Sequence, residues 1–225
     1  MNNAVINCER CQKSQELCVC AAIVPQNTKL QILILQHPQE PDHEIGSARL
    51  TQLALPKATL KVGLSWPNLA AALGKPAANS AQWAVLYLGS GVKGANPQDI
   101  KSLQFVSQKG TPADRPPQLE GIVVLDGSWS QAKTLWWRNA WLLKLRRAVL
   151  TPQHKSLYKE LRKEPRRECL STIEAVAEVL EQLGEKKEVS AHLKGLFSQL
   201  LDKRRQLIAA SKHIKEEPEH EKTQF

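Results

Sequence analysis

The sequence lacks several features that would place it in a common class of protein. No apolar run in its 225 residues approaches the ~20 residues that a membrane-spanning helix needs. The first residues, MNNAVINCERC, do not follow the basic and then apolar order of a secretion signal. No P-loop sequence (G-x-x-x-x-G-K-S/T) occurs, which argues against a triphosphate site. We therefore expect a cytoplasmic protein that does not enter a membrane.

The composition is that of a globular protein whose charge is unevenly distributed. Apolar residues make up 42% of the chain and charged residues 24%, and the length suffices for one core with a small module attached. The net charge is +9, and residues 133–167 alone hold 11 of the 31 lysines and arginines against two acids. Such concentrated positive charge suits a polyanion, and the alternative is a solvated helix face. We interpret it as a nucleic-acid-binding surface.

Four of the five cysteines lie close together, in the spacing Cys8-x2-Cys11-x6-Cys18-x-Cys20. Two close pairs joined by a short loop let four thiolates surround one ion, which Zn²⁺ prefers and which makes a structural rather than a catalytic site. An iron–sulfur cluster is the alternative. A redox pair would need a strand before Cys8, and the sequence shows none. Cys169 is expected to be a small buried residue.

Hydrophobic patterning alternates between short strands and longer helices. Apolar runs predict buried strands over residues 30–35, 59–64, 83–88, 122–125 and 148–150. Helical patterns cover residues 47–55, 129–145, 171–183 and 189–210. Strand, helix and strand within about thirty residues form a βαβ unit. We predict an α/β fold with a largely parallel sheet and flanking helices.

Punctuating residues suggest where elements and domains end. Gly184 is predicted to follow a helix C-terminus, and residues 107–118, with Gly110 and three prolines, are predicted to be a loop. The expected domains are a zinc knuckle, the α/β domain and a flexible polar tail, over residues 1–28, 29–211 and 212–225.

One turn carries the residues with the clearest chemical potential, Asp126-Gly127-Ser128-Trp129. Asp126 ends the most apolar strand, and in open α/β sheets ligands bind beyond the carboxyl ends of strands. Its carboxylate could act as a general base or orient a nucleophile, while the alternative is that Asp126 or Ser128 caps the next helix. Trp129 lies in the turn, where its ring could stack on a base.

Other candidate side chains have ordinary interpretations. Trp136, Trp137 and Trp141 follow helical spacing, so we expect them to pack in the core. His37, beside prolines, is expected to be structural. Three arginines could grip phosphates or a cofactor carboxylate, with surface solvation as the default for each: Arg49, Arg166 and Arg167.

Five segments in a consistent order resemble the DTW-domain family, which is named for an Asp-x-Thr-Trp motif. They are the cysteine spacing, Leu35-Gln36-His37-Pro38-Gln39-Glu40, Ser47-Ala48-Arg49-Leu50, Leu125-Asp126-Gly127-Ser128-Trp129-Ser130-Gln131-Ala132 and Leu170-Ser171-Thr172-Ile173-Glu174-Ala175. Together they cover roughly residues 8–183. Ser128 replaces the threonine of the motif, which keeps the hydroxyl and loses a methyl group.

The resemblance implies a tRNA-uridine aminocarboxypropyltransferase of bacterial type. Such an enzyme moves the 3-amino-3-carboxypropyl group of S-adenosylmethionine onto N3 of a uridine and releases 5′-methylthioadenosine. The implied fold is similar to the knotted SPOUT methyltransferases, with the cofactor held by loops at the knot. We expect Asp126 to accept the N3 proton and Trp129 to stack on an unpaired uridine.

The resemblance also implies which residues form each part of the site. Asp126, Ser128 and Trp129 would be catalytic. The cofactor would contact three loops: Leu88-Gly89-Ser90, Leu125-Asp126-Gly127 and Leu170-Ser171-Thr172. The tRNA backbone would be held by cations: Arg49, Arg146, Arg147, Lys155, Arg166 and Arg167.

Three alternatives to this reading stay open from the sequence. One is an RNA methyltransferase of the same knotted class, and another is the same transfer onto ribosomal RNA. The third is a zinc-dependent RNA-binding adaptor without catalysis. The sequence does not identify the oligomeric state, and a monomer is compatible with it.

Overall fold

The computed structural model describes residues 7–75, 79–87, 102–107, 109–152, 154–161 and 170–216, with side chains up to residue 211. The strands are β1 (Gln31–Gln36), β2 (Ala58–Val62), β3 (Trp83–Tyr87), β4 (Leu103–Val106), β5 (Pro112–Ala113), β6 (Gly121–Asp126) and β7 (Arg146–Leu150). The α-helices are α1 (Ala48–Ala54), α2 (Leu69–Leu73), α3 (Trp129–Arg138), α4 (Thr172–Gln182) and α5 (Lys187–Glu216).

The strands form one sheet in the order β2-β1-β6-β3-β7-β4-β5. The first five are parallel neighbours, whereas β4 and β5 add an antiparallel edge. Strands β1 and β6 are paired along their whole length, so that Gln36 lies beside Asp126 where both strands end. The predicted α/β class with a largely parallel sheet is confirmed.

Helices cover both faces of the sheet, because the central strands are apolar on both sides. On one face, Ile32, Ile34 and Val124 pack with residues of α1, α4 and α5. On the other face, Leu33 and Val123 pack with α2 and with the short 3₁₀ segment Ala140–Lys144. This layering leaves the carboxyl ends of the parallel strands as the edge where loops meet.

The predicted helix over residues 129–145 is wrong beyond Arg138. Asn139 is fully buried and ends the helix, since its side chain forms hydrogen bonds with residues 64–66. Its Nδ2 donates to the carbonyl oxygens of Leu64 at 3.0 Å and Leu135 at 2.7 Å. Its Oδ1 accepts from the backbone N–H of Trp66 at 2.8 Å. Tertiary hydrogen bonding thus overrides the helical pattern at this residue.

The predicted loop over residues 107–118 also differs from the structure. Pro112 and Ala113 form β5, which pairs with β4 at the edge of the sheet. A proline lacks the N–H that a ladder needs, so it is tolerated only at such an edge. Gly184 has a φ of +86°, which confirms the predicted left-handed position after α4. Helix α5 runs to Glu216, beyond the predicted residue 210.

None of the helices in the described ranges is both long and apolar enough to cross a bilayer.

Candidate functional site

The carboxylate of Asp126 lies at the carboxyl edge of the sheet and is 8% exposed. Gln36 Nε2, from the neighbouring strand, donates to Asp126 Oδ2 at 2.7 Å. The backbone N–H of His37 donates to the carbonyl oxygen of Asp126 at 2.9 Å. The segment that follows β1 is therefore fixed to the end of β6.

A third segment reaches the same carboxylate from α4. Thr172 Oγ1, in the first turn of that helix, donates to Asp126 Oδ1. The helix begins at Ser171, whose hydroxyl oxygen accepts from the N–H of Glu174 while Glu174 Oε2 accepts from the N–H of Ser171. Two of the three predicted cofactor loops, residues 125–127 and 170–172, thus meet at Asp126. The third, Leu88-Gly89-Ser90, lies outside the described residues.

Ser128 caps α3, as one of the sequence alternatives proposed. Its Oγ accepts from the N–H of Gln131 at 3.4 Å, and Gln131 Oε1 accepts from the N–H of Ser128. Gly127 is enclosed by the same turn, because a Cβ there would lie 2.8 Å from the Cβ of Gln131. Gln131 Nε2 also donates to Gln39 Oε1 at 3.2 Å. The turn after β6 is therefore rigid and linked to the segment after β1.

A pocket of about 300 Å³ opens between α3, the carboxyl ends of β3 and β6, and the beginning of β7. Aromatic rings and apolar side chains form most of its wall, and two cations complete it: Leu86, Tyr87, Leu125, Trp129, Ala132, Lys133, Trp136, Trp137, Leu143 and Arg147. We call it the aromatic pocket. Its size and lining suit a planar, aromatic ligand.

Both cations of the aromatic pocket lie over its rings. The Arg147 guanidinium carbon is 5.0 Å from the ring centroid of Tyr87 and 5.4 Å from that of Trp136. Lys133 Nζ is 5.6 Å from the ring centroid of Trp129. Positive charge beside ring faces is the combination that nucleic-acid-binding surfaces use for phosphates and bases.

The three tryptophans expected in the core occupy different environments. Trp141 is buried, and its Nε1 donates to the carbonyl oxygen of Trp66 at 3.0 Å. Trp136 is half-buried against Tyr87. Trp137 is 74% exposed, so the core prediction is wrong for it. The helix ends at Arg138, so Trp137 and Trp141 do not lie on one helix.

Four of the six predicted RNA-binding cations lie in the described residues, in different surroundings. Arg147 lies in the aromatic pocket, and Arg146 Nη1 donates to the carbonyl oxygen of Asp114. Lys155 is exposed. Arg49 lines a different crevice, described below. Arg166 and Arg167 lie outside the described residues.

The four N-terminal cysteines converge as the spacing predicts. Their Sγ atoms all lie within 4.8 Å of one another. Cys8 and Cys20 are 3.8 Å apart at sulfur, and so are Cys11 and Cys18. Sulfurs about 2.3 Å from a tetrahedral zinc ion are about 3.8 Å apart. The donor set therefore fits one Zn²⁺.

The environment of Cys8 favours its thiolate. Backbone hydrogen bonds from Cys11 and Arg10 lower the pKa of Cys8 to about 6. Burial raises the pKa of Cys11 and Cys20 in the protein without metal. A bound cation would reverse that burial effect, since metal ligation requires deprotonated thiols.

A small polar crevice lies between the cysteine loop and the end of β1. It has a volume of about 30 Å³ and is lined by Cys11, Gln12, Lys13, Gln36, Glu40, Pro41, Gly46, Arg49 and Val62. We call it the polar crevice. Gln36 lines it and also donates to Asp126, so the crevice adjoins the Asp126 site.

Lys13 is the buried cation of the polar crevice and is only 6% exposed. Its Nζ donates to the carbonyl oxygen of Glu44 at 2.8 Å. Burial lowers the pKa of Lys13 to about 8, against the opposing electrostatic effects of Cys11, Asp126 and Glu44. The cysteine loop thus delivers a positive charge towards Asp126.

Comparison with known protein families shows the family to which this chain belongs. The DTW domain family matches residues 5–205. The chain belongs to the DTW-domain family. All five segments on which the sequence resemblance rests fall within the matched range.

Three curated relatives of this DTW domain share the name tRNA-uridine aminocarboxypropyltransferase 2. The protein from Drosophila melanogaster is 30% identical over 189 residues, covering 81% of this chain and 68% of its own length. The protein from Macaca fascicularis is 28% identical over 182 residues, covering 77% of this chain and 55% of its own. The Mus musculus protein is 26% identical over 177 residues, with coverages of 77% and 55%. The chain thus spans little more than half of the two mammalian relatives.

No solved structure is significantly similar to this DTW domain.

Several residues of this DTW domain were missed by sequence reasoning. Gln36 had a usable signal, because a polar residue ending an apolar strand is the same pattern that singled out Asp126. Tyr87 ends β3 in the same way. Lys13 and Trp137 had none, since a lysine between cysteines and a tryptophan at helical spacing are both ordinary. Their positions beside the two pockets follow from tertiary packing alone.

Proposed function

We propose that this DTW domain transfers the 3-amino-3-carboxypropyl group of S-adenosylmethionine to N3 of a uridine in tRNA, releasing 5′-methylthioadenosine. The observation that carries the proposal is the meeting of three separated family segments at one carboxylate. Gln36, Asp126 and Thr172 come from three different family segments and form one hydrogen-bonded group. The names of the curated relatives support the same reaction.

The cofactor is proposed to lie in the loops around Asp126, in a knotted, SPOUT-like arrangement. Residues 125–127, 170–172 and 88–90 would contact it through backbone groups. A sulfonium activates all three of its carbons, so the product depends on which carbon is in line with the nucleophile at about 3–3.5 Å. The site must therefore direct the amino-acid arm, and not the methyl group, at the RNA.

Asp126 is proposed to act as the general base. Uridine N3 carries a proton at neutral pH, and this proton must leave as N3 bonds to the carbon and the carbon–sulfur bond breaks. Donation from Gln36 to one carboxylate oxygen and from Thr172 to the other fixes the orientation of the carboxylate. Ser128 would support catalysis by holding the turn through its cap.

The aromatic pocket is proposed to receive the RNA. The N3 edge of a uridine is normally paired, so the target must be unpaired or flipped out. Trp129, which lines the pocket, would stack on it, while Arg147 and Lys133 would attract neighbouring phosphates. Exposed Trp137 extends the same surface. Arg49, Arg146, Lys155, Arg166 and Arg167 are proposed to widen the contact with the tRNA backbone.

Cys8, Cys11, Cys18 and Cys20 would hold a Zn²⁺ ion, and the donor set and its spacing support this. The ion would stabilise the loop and take no part in the transfer, because four thiolates leave no open coordination position. We further propose that the protein works as a cytoplasmic monomer and that it is an aminocarboxypropyltransferase of the bacterial type.

Isotope labelling tests the reaction directly. The protein is incubated with tRNA and S-adenosylmethionine labelled either in the methyl group or in the carboxypropyl carbons. We expect only the carboxypropyl label in tRNA nucleosides, with 5′-methylthioadenosine as co-product. Methyl label in tRNA would instead establish a methyltransferase. Ribosomal RNA incubated in parallel tests the other substrate, and label there alone would overturn the choice of tRNA.

A further inference from the structure

We infer that the polar crevice binds the amino-acid end of S-adenosylmethionine, with Lys13 and Arg49 on its α-carboxylate and Glu40 on its ammonium group. The inference rests on the proposed function, since it names the part of the protein that recognises the transferred group. It also gives the cysteine loop a role at the cofactor site through Lys13.

The size of the polar crevice restricts what it can hold. A water molecule needs roughly 10–15 Å³ of such space. The crevice volume of about 30 Å³ therefore accommodates about two water-sized groups. A carboxylate meets that limit, whereas a nucleobase or a ribose does not. The larger aromatic pocket, of about 300 Å³, is the better place for a ring.

The charges that line the crevice match a zwitterion. Lys13 and Arg49 supply positive charge, and Glu40, which is buried and also lines the crevice, supplies negative charge. A site for an RNA phosphate would need cations without a buried acid. An α-amino acid end, which carries one charge of each sign, is complementary to this set.

Lys13 has hydrogen-bonding capacity left for a ligand. An ammonium group carries three donors, and Lys13 gives one to the carbonyl oxygen of Glu44. Across the described ranges of the chain, no carboxylate forms an ion pair with Lys13. Burying a charged lysine without an ion-pair partner costs free energy, and Lys13 is only 6% exposed. The carboxylate of a bound ligand would offset that cost.

The position of the crevice accounts for which carbon next to the sulfonium is transferred to the uridine. It adjoins Asp126 through Gln36, which lines the crevice and donates to the carboxylate. An amino-acid arm anchored there would run past the proposed base, with the adenosine held elsewhere along the strand ends. The carbon next to the sulfur on that arm would then face the uridine.

The test compares three ligands whose amino-acid ends differ. S-adenosylmethionine, its decarboxylated form and 5′-methylthioadenosine are titrated calorimetrically into the full chain without tRNA. We expect the wild type to prefer S-adenosylmethionine over the decarboxylated form by roughly 10- to 100-fold, the range for a charge-assisted contact. In Lys13→Gln this preference falls to a few-fold, while the affinity for 5′-methylthioadenosine is unchanged.

Matched variants separate a ligand contact from a structural effect. Arg10→Gln makes the same change in the same loop at an exposed position and should keep the preference. Lys13→Arg keeps the charge and should retain most of the preference for S-adenosylmethionine. Lys13→Met keeps the apolar stem and provides a second charge-free variant if Lys13→Gln folds poorly. Metal content and melting temperature are measured for every variant.

Three outcomes would overturn the inference, and they differ from failure of the proposed function. Equal loss of affinity for all three ligands would make Lys13 structural. An unchanged preference in both charge-free variants would place the carboxylate elsewhere. Weaker tRNA binding with normal cofactor binding would make the crevice a phosphate site. If the wild type bound no S-adenosylmethionine at all, the proposed function would fall together with the inference.

Discussion

At the scale of single residues, Asp126 serves two needs that conflict. Its hydrogen bonds from Gln36 and Thr172 engage both carboxylate oxygens and hold three segments together. A general base, in contrast, must still accept a proton. A positioning role and a proton-transfer role therefore predict different responses to pH, and a conservative substitution separates them.

Asp126→Asn should lower kcat by about 10²–10⁴-fold, the usual contribution of a general base, while cofactor affinity changes only a few-fold. An amide keeps the shape but cannot take the proton. The pH dependence of single-turnover transfer is measured for both proteins, and the variant should regain rate as pH rises and N3 ionises by itself. Asp114→Asn, at an exposed position, is the matched control. A variant with a proportionally unchanged pH profile would assign Asp126 to positioning alone.

Trp137 leads to a second prediction at this scale. An exposed ring beside a basic pocket is expected to stack on RNA, so Trp137→Ala should weaken tRNA binding by about 1–3 kcal/mol. Binding is measured by filter retention at fixed salt, together with calorimetry for the cofactor, whose affinity should not change. Val24→Ala, an exposed apolar change away from the pocket, is the control. Equal tRNA affinity of wild type and Trp137→Ala would remove this residue from the RNA surface.

The residues that sequence reasoning found share a local signal. Asp126, Ser128 and Thr172 each lie at the junction of a strand or loop with a helix, where capping and strand-end positions can be read from neighbours. The charge of Asp126 affects the pKa of Lys13, although the two residues are far apart in sequence. They come close only because the cysteine loop packs on residues 40–46. No pattern within the chain encodes that long-range approach.

At the scale of secondary structure elements, α4 depends on one buried acid. Glu174 is fully buried and accepts hydrogen bonds from Ser156 Oγ, the N–H of Leu157 and both the N–H and Oγ of Ser171. It thus caps its own helix and fastens the segment after β7 to it. Because Ser171 precedes Thr172, the same group sets where α4 meets Asp126.

Glu174→Ala should destabilise the protein by about 2–4 kcal/mol, since it leaves buried N–H groups without acceptors. Urea denaturation followed by circular dichroism measures the free energy of unfolding. Glu188→Ala, an exposed acid in the first turn of α5, should change it by less than about 0.5 kcal/mol. A loss for Glu174→Ala no larger than that of this control would show that the cap is dispensable.

Element type was predictable from periodicity, whereas element ends depended on tertiary contacts. The apolar runs gave β1, β3 and β6 to within one residue, because burial on both faces leaves few alternatives. The end of α3 was missed because the side chain of Asn139 bonds to residues 64–66, far away in sequence. Strand β5, two residues long and begun by a proline, has no local signal at all.

At the scale of the whole molecule, the cysteine loop is part of the main core and not an appendage. Leu17 and Val19 are buried in the cluster formed with α4 and α5. Lys203 Nζ, on α5, donates to the carbonyl oxygen of Cys18 at 2.7 Å. The expected division at residue 28 stays a prediction, yet these contacts imply that disturbing the loop disturbs the domain.

Metal removal should therefore lower global stability and cofactor affinity together. We expect purified protein to contain one zinc ion, and chelation to lower Tm by roughly 5–10 °C, the response to a few kcal/mol in a chain of this size. Affinity for S-adenosylmethionine should fall as well, because Lys13 lies two residues from Cys11 and would lose its position. Calorimetry and thermal melting before chelation, after chelation and after zinc is restored measure both effects.

Cysteine variants make the same test without a chelator. Cys11→Ser should reproduce the lower Tm and the weaker cofactor binding, whereas Cys169→Ser, which changes the cysteine outside the quartet, should keep the metal. Absence of zinc by elemental analysis, with unchanged melting under chelator, would refute the metal site. A lower Tm with unchanged cofactor affinity would separate the loop from the cofactor site, and the loop would then act on stability alone.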